Sequence, residues 1–253
     1  MFRSGRPDLP EPTLPGPFGG IVYLDFLAEL VGKRGVRTYL EIGVHYGHML
    51  SRIACDTAIG VDPGYIIDTN VAAGKRRTLL YQCTSDRFFA ETDVLGVAGG
   101  PVEFAFLDGL HQFEYLLRDI ANTEAVCGRD SLIALHDCMP LNAEMAHRDG
   151  ARERSDAYSK MWTGDVWKVV PILRRYRPDL DIVLVDCPPT GLVCLTGLDP
   201  SSTVLRHRYL DIVREFRDVP NGKAEIAAMY AQNPITSSRA ILNSFDQSLY
   251  FRA

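Results

Sequence analysis

A series of short apolar runs, each closing on an acid, a histidine or a glycine, constrains this chain more than any other feature. Thr38-Tyr39-Leu40-Glu41-Ile42 runs into Gly43, 58–61 ends at Asp62, 102–107 at Asp108, and 131–135 at His136 and Asp137. Runs this short and this rich in strand-forming residues suit strands rather than helices. Another strand is expected at 79–83, and helices at 21–31, 48–54, 85–91, 112–126 and 165–176. Strands that alternate with helices predict an α/β fold, a mostly parallel sheet covered on both faces. The last two runs, 182–186 and 192–196, are joined only by Cys187-Pro188-Pro189-Thr190-Gly191. That link is too short for a crossover, so the seven-stranded sheet should close with an antiparallel hairpin. Ligands in such sheets sit at the carboxyl ends of the strands, where this chain carries Glu41, Gly43, Asp62, Asp108, His136 and Asp137.

Composition narrows the classes. With 253 residues, 46% of them apolar and 23% charged, the chain can bury a sizeable core. A net charge of -5 supplies no positive field for nucleic acid, and no apolar run approaches the roughly 18 residues of a membrane span. Residues 1–20 carry five prolines and no apolar stretch, so they read as an arm rather than a signal peptide. Six scattered cysteines form no Cys-x-x-Cys pair, which predicts a reduced, cytoplasmic protein. The main domain is expected at 21–197, followed by a helical extension at 198–253. In that extension Val204, Leu205, Tyr209, Ile212, Val213 and Phe216 suit an amphipathic helix. Ile241, Leu242, Phe245, Leu249, Tyr250 and Phe251 are too apolar to stand in water; they should pack on the domain or on a second copy in a homo-oligomer.

Glu41-Ile42-Gly43-Val44-His45-Tyr46-Gly47 has the spacing E-x-G-x-x-x-G, and Asp62 follows Gly43 at the end of the next strand. Two glycines allow a sharp turn and a close backbone approach to a ligand. A carboxylate at the second strand end can accept both hydroxyls of a ribose. The dinucleotide fingerprint and the phosphate-loop motif are both absent, so the turn suits a nucleoside without a pyrophosphate. On these residues the chain resembles the class I S-adenosylmethionine-dependent methyltransferases over roughly 37–197. The resemblance implies a Rossmann-like seven-stranded sheet with a closing hairpin. It also implies a cofactor held by Glu41, Gly43, Gly47, Asp62 and Asp108, with Ser85 and Asp86 flanking the adenine.

The second constellation is Asp108-Gly109-Leu110-His111, then His136-Asp137 at the end of the next strand. Adjacent strand ends lie about 5 Å apart, so Asp108, His136 and Asp137 can converge on one divalent ion. Oxygen donors with one imidazole suit Mg²⁺ or Mn²⁺, and less diagnostically Fe²⁺ or Zn²⁺. The blander reading makes the two acids loop or helix caps. The pattern D-G-x-H-x-x-E, then a strand ending in H-D, is similar to a bacterial branch that methylates sugars and natural products, and to catechol O-methyltransferase. That similarity implies metal-assisted transfer of a methyl group to a small-molecule hydroxyl. Asp108, His136 and Asp137 would take the metal-ligand places and His111 that of the general base. His136 departs from the pattern, which has an acid there. A metal-independent O- or N-methyltransferase, or a cephalosporin-hydroxylase-like metal enzyme, fits the same residues.

The charged stretch 138–164 leaves directly from His136-Asp137 and is expected to form a substrate lid, with a solvated loop as the alternative. Within it Arg148, Arg152 and Arg154 could meet an acidic substrate, although Glu144, Asp149, Glu153 and Asp156 largely cancel them. Trp162 and Trp167 could offer a platform to a sugar or aromatic ring, and helix packing accounts for Trp167 equally well.

Overall fold

The computed structural model describes residues 13–158 and 161–252; the first twelve residues of the proline-rich arm lie outside the described residues. The chain runs α1 (Tyr23–Arg34), β1 (Thr38–Ile42), α2 (His48–Arg52), β2 (Cys55–Val61), β3 (Lys75–Tyr81), α3 (Ser85–Glu91), α4 (Val94–Ala98), β4 (Val102–Leu107), α5 (Phe113–Glu124) and β5 (Cys127–His136). It continues with α6 (Val169–Tyr176), β6 (Asp181–Val185), β7 (Leu192–Thr196), α7 (Val204–His207), α8 (Tyr209–Phe216), α9 (Lys223–Ala231), β8 (Ile235–Thr236) and α10 (Ser238–Asn243). The sheet order is β3-β2-β1-β4-β5-β7-β6-β8. Strands β1 to β5 are parallel, and β7 enters antiparallel between β5 and β6. The mostly parallel sheet and its antiparallel end are the architecture expected from the runs. The eighth strand is an addition: two residues of the extension pair with β6.

Strand alternation explains the two cores. In β1, Leu40 and Ile42 pack with α3 to α9, whereas Tyr39 points to the other face and packs with α1, α2 and α10. In β4, Ala105 and Leu107 face the first group, and Phe104 and Phe106 the second. Such period-2 segregation is what a sheet covered on both sides requires.

Two expectations shift. The strand expected at 79–83 forms at Lys75–Tyr81, because pairing with the whole of β2 draws in the charged residues before it. The single helix expected near 204–216 breaks at Arg208 into α7 and α8. At the tail Ile241, Leu242 and Phe251 are buried against α1, while Phe245 and Leu249 stay exposed. Among the described residues no helix is long and apolar enough to cross a membrane.

Candidate active site

The turn after β1 brings two strand ends together. Gly43 lies at φ 89°, and a Cβ there would come within 1.9 Å of the Asp108 carbonyl oxygen. The glycine is therefore needed by the neighbouring strand end itself, before any ligand is considered. Gly47 lies at φ 79°, and a Cβ there would press on Val71 at 2.6 Å. Asp62 closes over the same turn: its Oδ2 accepts the His45 N–H at 2.8 Å and its Oδ1 the Gly64 N–H at 2.7 Å. Each carboxylate oxygen retains a second lone pair for a ligand hydroxyl.

Other predicted cofactor residues are more committed. Glu41 is buried beneath the turn, where its Oε2 accepts from the Tyr39 hydroxyl at 2.8 Å. Burial, helped by the Asp108 charge, pushes its carboxyl up to about 8 against that hydrogen bond. Asp86 is held by Arg118 in a bidentate pair at 2.8 and 2.6 Å, linking α3 to α5. Ser85, beside it, hydrogen-bonds Asp119, whose carboxyl burial pushes up to about 7.

At the ends of β4 and β5 four side chains converge. His136 Nδ1 lies 3.2 Å from Asp108 Oδ1 and 3.3 Å from Asp137 Oδ2. His111 Nε2 lies 3.4 Å from the same Asp108 oxygen and 3.2 Å from the same Asp137 oxygen. Consecutive strand residues normally point to opposite faces. His136 and Asp137 meet because Asp137 leaves the strand at φ 58°, a left-handed conformation that costs most residues roughly 1–2 kcal/mol and that Asp tolerates better.

The electrostatics follow from this crowding. Burial disfavours the Asp108 carboxylate, but the two imidazoles outweigh it and hold the group well below the usual range. Burial likewise opposes protonation of His111, yet the Asp108 hydrogen bond and the Asp137 and Asp108 charges push it up to about 9. His136 is raised well above its ordinary value in the same way, by Asp137 and Asp108 against burial. Without a cation the cluster therefore balances itself with protons. With one, the imidazoles would be neutral.

The donor set fits a divalent ion. Asp108, His111 and Asp137 each offer one ligand atom, all within 4.8 Å of one another. Two carboxylate oxygens and an imidazole nitrogen at that spacing match hard-to-intermediate divalent cations. His136 reaches the same two acids from the other side.

One neighbour of the site was not singled out from sequence, and one that was comes to lie against His111. Tyr23, in the first turn of α1, lies tilted against His136 at 4.2 Å between ring centroids. A helix that runs back from the carboxyl edge into β1 must begin at that edge, so its first aromatic was a readable signal. The carbonyl oxygen of Trp162 lies 2.9 Å from His111 Nδ1, and its ring tilts over His111 at 4.9 Å. Gly164 packs so closely that a Cβ there would come within 1.7 Å of the His111 carbonyl oxygen. Trp162 and Gly164, at the end of the stretch expected as a lid, thus lie over His111. Arg148 of that stretch does not stand ready for a substrate: it bonds Glu114 at 3.0 Å and Asp165 at 2.7 Å. Trp167 is buried and donates to Asn221, a packing role.

A recess of about 530 Å³ lies at the opposite, amino edge of the sheet, lined by Arg37, Asp56, Arg76, Arg77 and Glu103. Arg37 is paired with Glu103, and Arg77 bonds the Val97 carbonyl. Its lining holds no imidazole or thiol.

No protein-family model matches the chain, and no curated protein matches it. Solved structures do resemble it. A cofactor-bound protein from MTB has 16% identity and a TM-score of 0.49, with 73% of this chain and 83% of that chain covered. The O-methyltransferase TomG from Streptomyces achromogenes, involved in tomaymycin synthesis and in complex with SAM, has 14% identity, 76% and 84% coverage and a TM-score of 0.45. The SAH-bound Podospora anserina methyltransferase PaMTH1 has 16% identity, 68% and 77% coverage and a TM-score of 0.44. At these values the likeness is one of chain course, and the chemistry has to be argued from the residues.

Proposed function

We propose that the chain is an S-adenosylmethionine-dependent O-methyltransferase, assisted by a divalent cation and acting on a hydroxyl of a small molecule such as a sugar or natural product. The observation that carries this reading is the contact of Gly43 with the Asp108 carbonyl. It supports reading the nucleoside-type turn and the acid–imidazole cluster as one continuous site, with cofactor and acceptor on adjoining strand ends.

In this reading Asp62 accepts the ribose hydroxyls while the glycine turn lies along the rest of the cofactor. Asp108 and Asp137, with an imidazole, would hold the cation, which supplies a lowered hydroxyl pKa and a fixed acceptor geometry. Transfer breaks the bond from the sulfonium sulfur to the methyl carbon and forms one from the acceptor oxygen to that carbon. The acceptor's proton is lost to solvent or to the imidazole that does not hold the cation. The sulfonium charge disappears during transfer, so alignment and water exclusion matter more than new charge stabilisation. Trp162 and Gly164, lying over His111, support that exclusion.

Calorimetry with S-adenosylmethionine tests the reading. Wild type should bind it, and Asp62→Ala should bind roughly ten- to a hundredfold more weakly, since a charge-assisted hydrogen bond contributes about 1.5–3 kcal/mol. Absence of binding to the folded wild type would remove methyl transfer and favour another reaction on this sheet.

A further inference from the structure

The two histidines of the cluster differ in what each does with its second ring nitrogen. His111 has Nδ1 within 2.9 Å of the Trp162 carbonyl oxygen, which can only accept, so Nδ1 carries the proton and donates it. In the neutral ring Nε2 then presents a lone pair to Asp108 Oδ1 and Asp137 Oδ2 at 3.4 and 3.2 Å. A lone pair facing two anionic oxygens is repelled unless a positive charge lies between them. An N–H tied to a backbone carbonyl is also the usual outer support of a metal-binding imidazole.

His136 is arranged the other way round. Its Nδ1 faces the two carboxylates, while its Nε2 is buried without a hydrogen-bond partner. Were Nδ1 a metal ligand, Nε2 would carry a buried N–H with no acceptor, the more costly kind of orphan. With Nδ1–H donated to the carboxylates, Nε2 is only an idle acceptor. Its ring is fixed by Tyr23 at 4.2 Å and Phe106 at 5.8 Å, and its side chain is 9% exposed against 22% for His111. The more open histidine is therefore the one whose nitrogen lone pair joins the acids.

We infer that His111 is the nitrogen ligand of the divalent cation, with Asp108 and Asp137, and that His136 is an outer positioning residue donating Nδ1–H to both carboxylates. The two histidines thereby exchange the places that the family resemblance implies. His111, bound to the cation, is not the general base. One imidazole among oxygen donors makes Mn²⁺ a suitable ion with which to test the set. This inference rests on the cation part of the proposed function and not on methyl transfer.

The test is electron paramagnetic resonance of Mn²⁺ added to the metal-free protein, with pulsed detection of coupled nitrogen. Wild type should bind the ion and show one imidazole nitrogen. His111→Ala should lose that coupling and bind at least about tenfold more weakly, and His136→Gln should keep it with a weakening inside the roughly 10–100-fold range of outer-shell losses. Coupling that survives in His111→Ala overturns the assignment, as does wild type that binds no Mn²⁺. Should His136→Gln fail to fold, the wild-type spectrum still decides, because two coupled nitrogens would make both histidines ligands. Calorimetry with S-adenosylmethionine on the same sample separates the readings: lost cofactor binding with one nitrogen still coupled overturns methyl transfer alone.

Discussion

Around β1, β2 and β3 the acids are satisfied by the chain's own groups, whereas around β4 and β5 they face one another and two imidazoles. Asp62 accepts two backbone N–H groups, Glu41 a tyrosine hydroxyl and Asp86 a guanidinium. Among the described residues Asp108 and Asp137 face His111 and His136, at 3.2–3.4 Å. In the first half each of these acids already has a donor from the chain itself. The second is balanced by the protons of its imidazoles, or would be by a cation. The contrast teaches that acids at strand ends are not equivalent, and that their donors distinguish support from chemistry.

The largest effect should come from breaking the joint between the halves. In Gly43→Val a β-branched residue would have to adopt a positive φ and push the Asp108 carbonyl aside. Backbone strain alone would cost about 1–3 kcal/mol, with the displaced strand end adding to it. Thermal unfolding should fall by several degrees, and binding of both S-adenosylmethionine and Mn²⁺ should be lost. Retention of either at wild-type affinity would show that the halves are not mechanically joined.

A sharper cut separates them. Asp108→Asn keeps the shape of the side chain and removes its charge, so Mn²⁺ affinity should drop by at least the about 10–100-fold typical of losing an outer partner. Cofactor affinity should change by less than about threefold, because the acids of the other half have their own donors. Titration of the variant with each ligand in turn checks this. A large loss of cofactor affinity would merge the two halves into one electrostatic unit.

The smallest effect concerns the first half and is read in pH. Glu41 has its carboxyl raised from 4.5 to about 8 in the folded protein. The folded state therefore binds the proton more tightly than the unfolded chain does. Its contribution is fully present below 4.5 and is lost as pH rises through about 8. Glu41→Gln should remove this dependence, so urea midpoints of the two proteins should diverge between about pH 5 and about pH 9, with wild type declining more. Parallel curves would mean that Glu41 is ionised in the fold.

Strand positions were legible because burial on both faces leaves continuous apolar runs; α3, β4 and β7 fall where the sequence puts them. The short β8 and the helix α9 were not, since two residues carry no period and α9 mixes apolar residues around its circumference. In the site, the positions of Asp62, Asp108, His111, His136 and Asp137 at the carboxyl edge follow from strand ends alone. The pairing of Asp86 with Arg118 and of Arg148 with Glu114 and Asp165 does not, because each joins residues far apart in the chain.

By itself the sequence determined which residues would stand at the carboxyl edge of the sheet, since alternation and strand length are local properties of the chain. Only the tertiary structure decided which way their side chains and ring nitrogens face. The left-handed backbone at Asp137, the carbonyl of Trp162 on His111 and the ring of Tyr23 on His136 come from segments that meet only after folding. Orientation of a donor atom depends on what packs behind it, and a linear pattern does not carry that information.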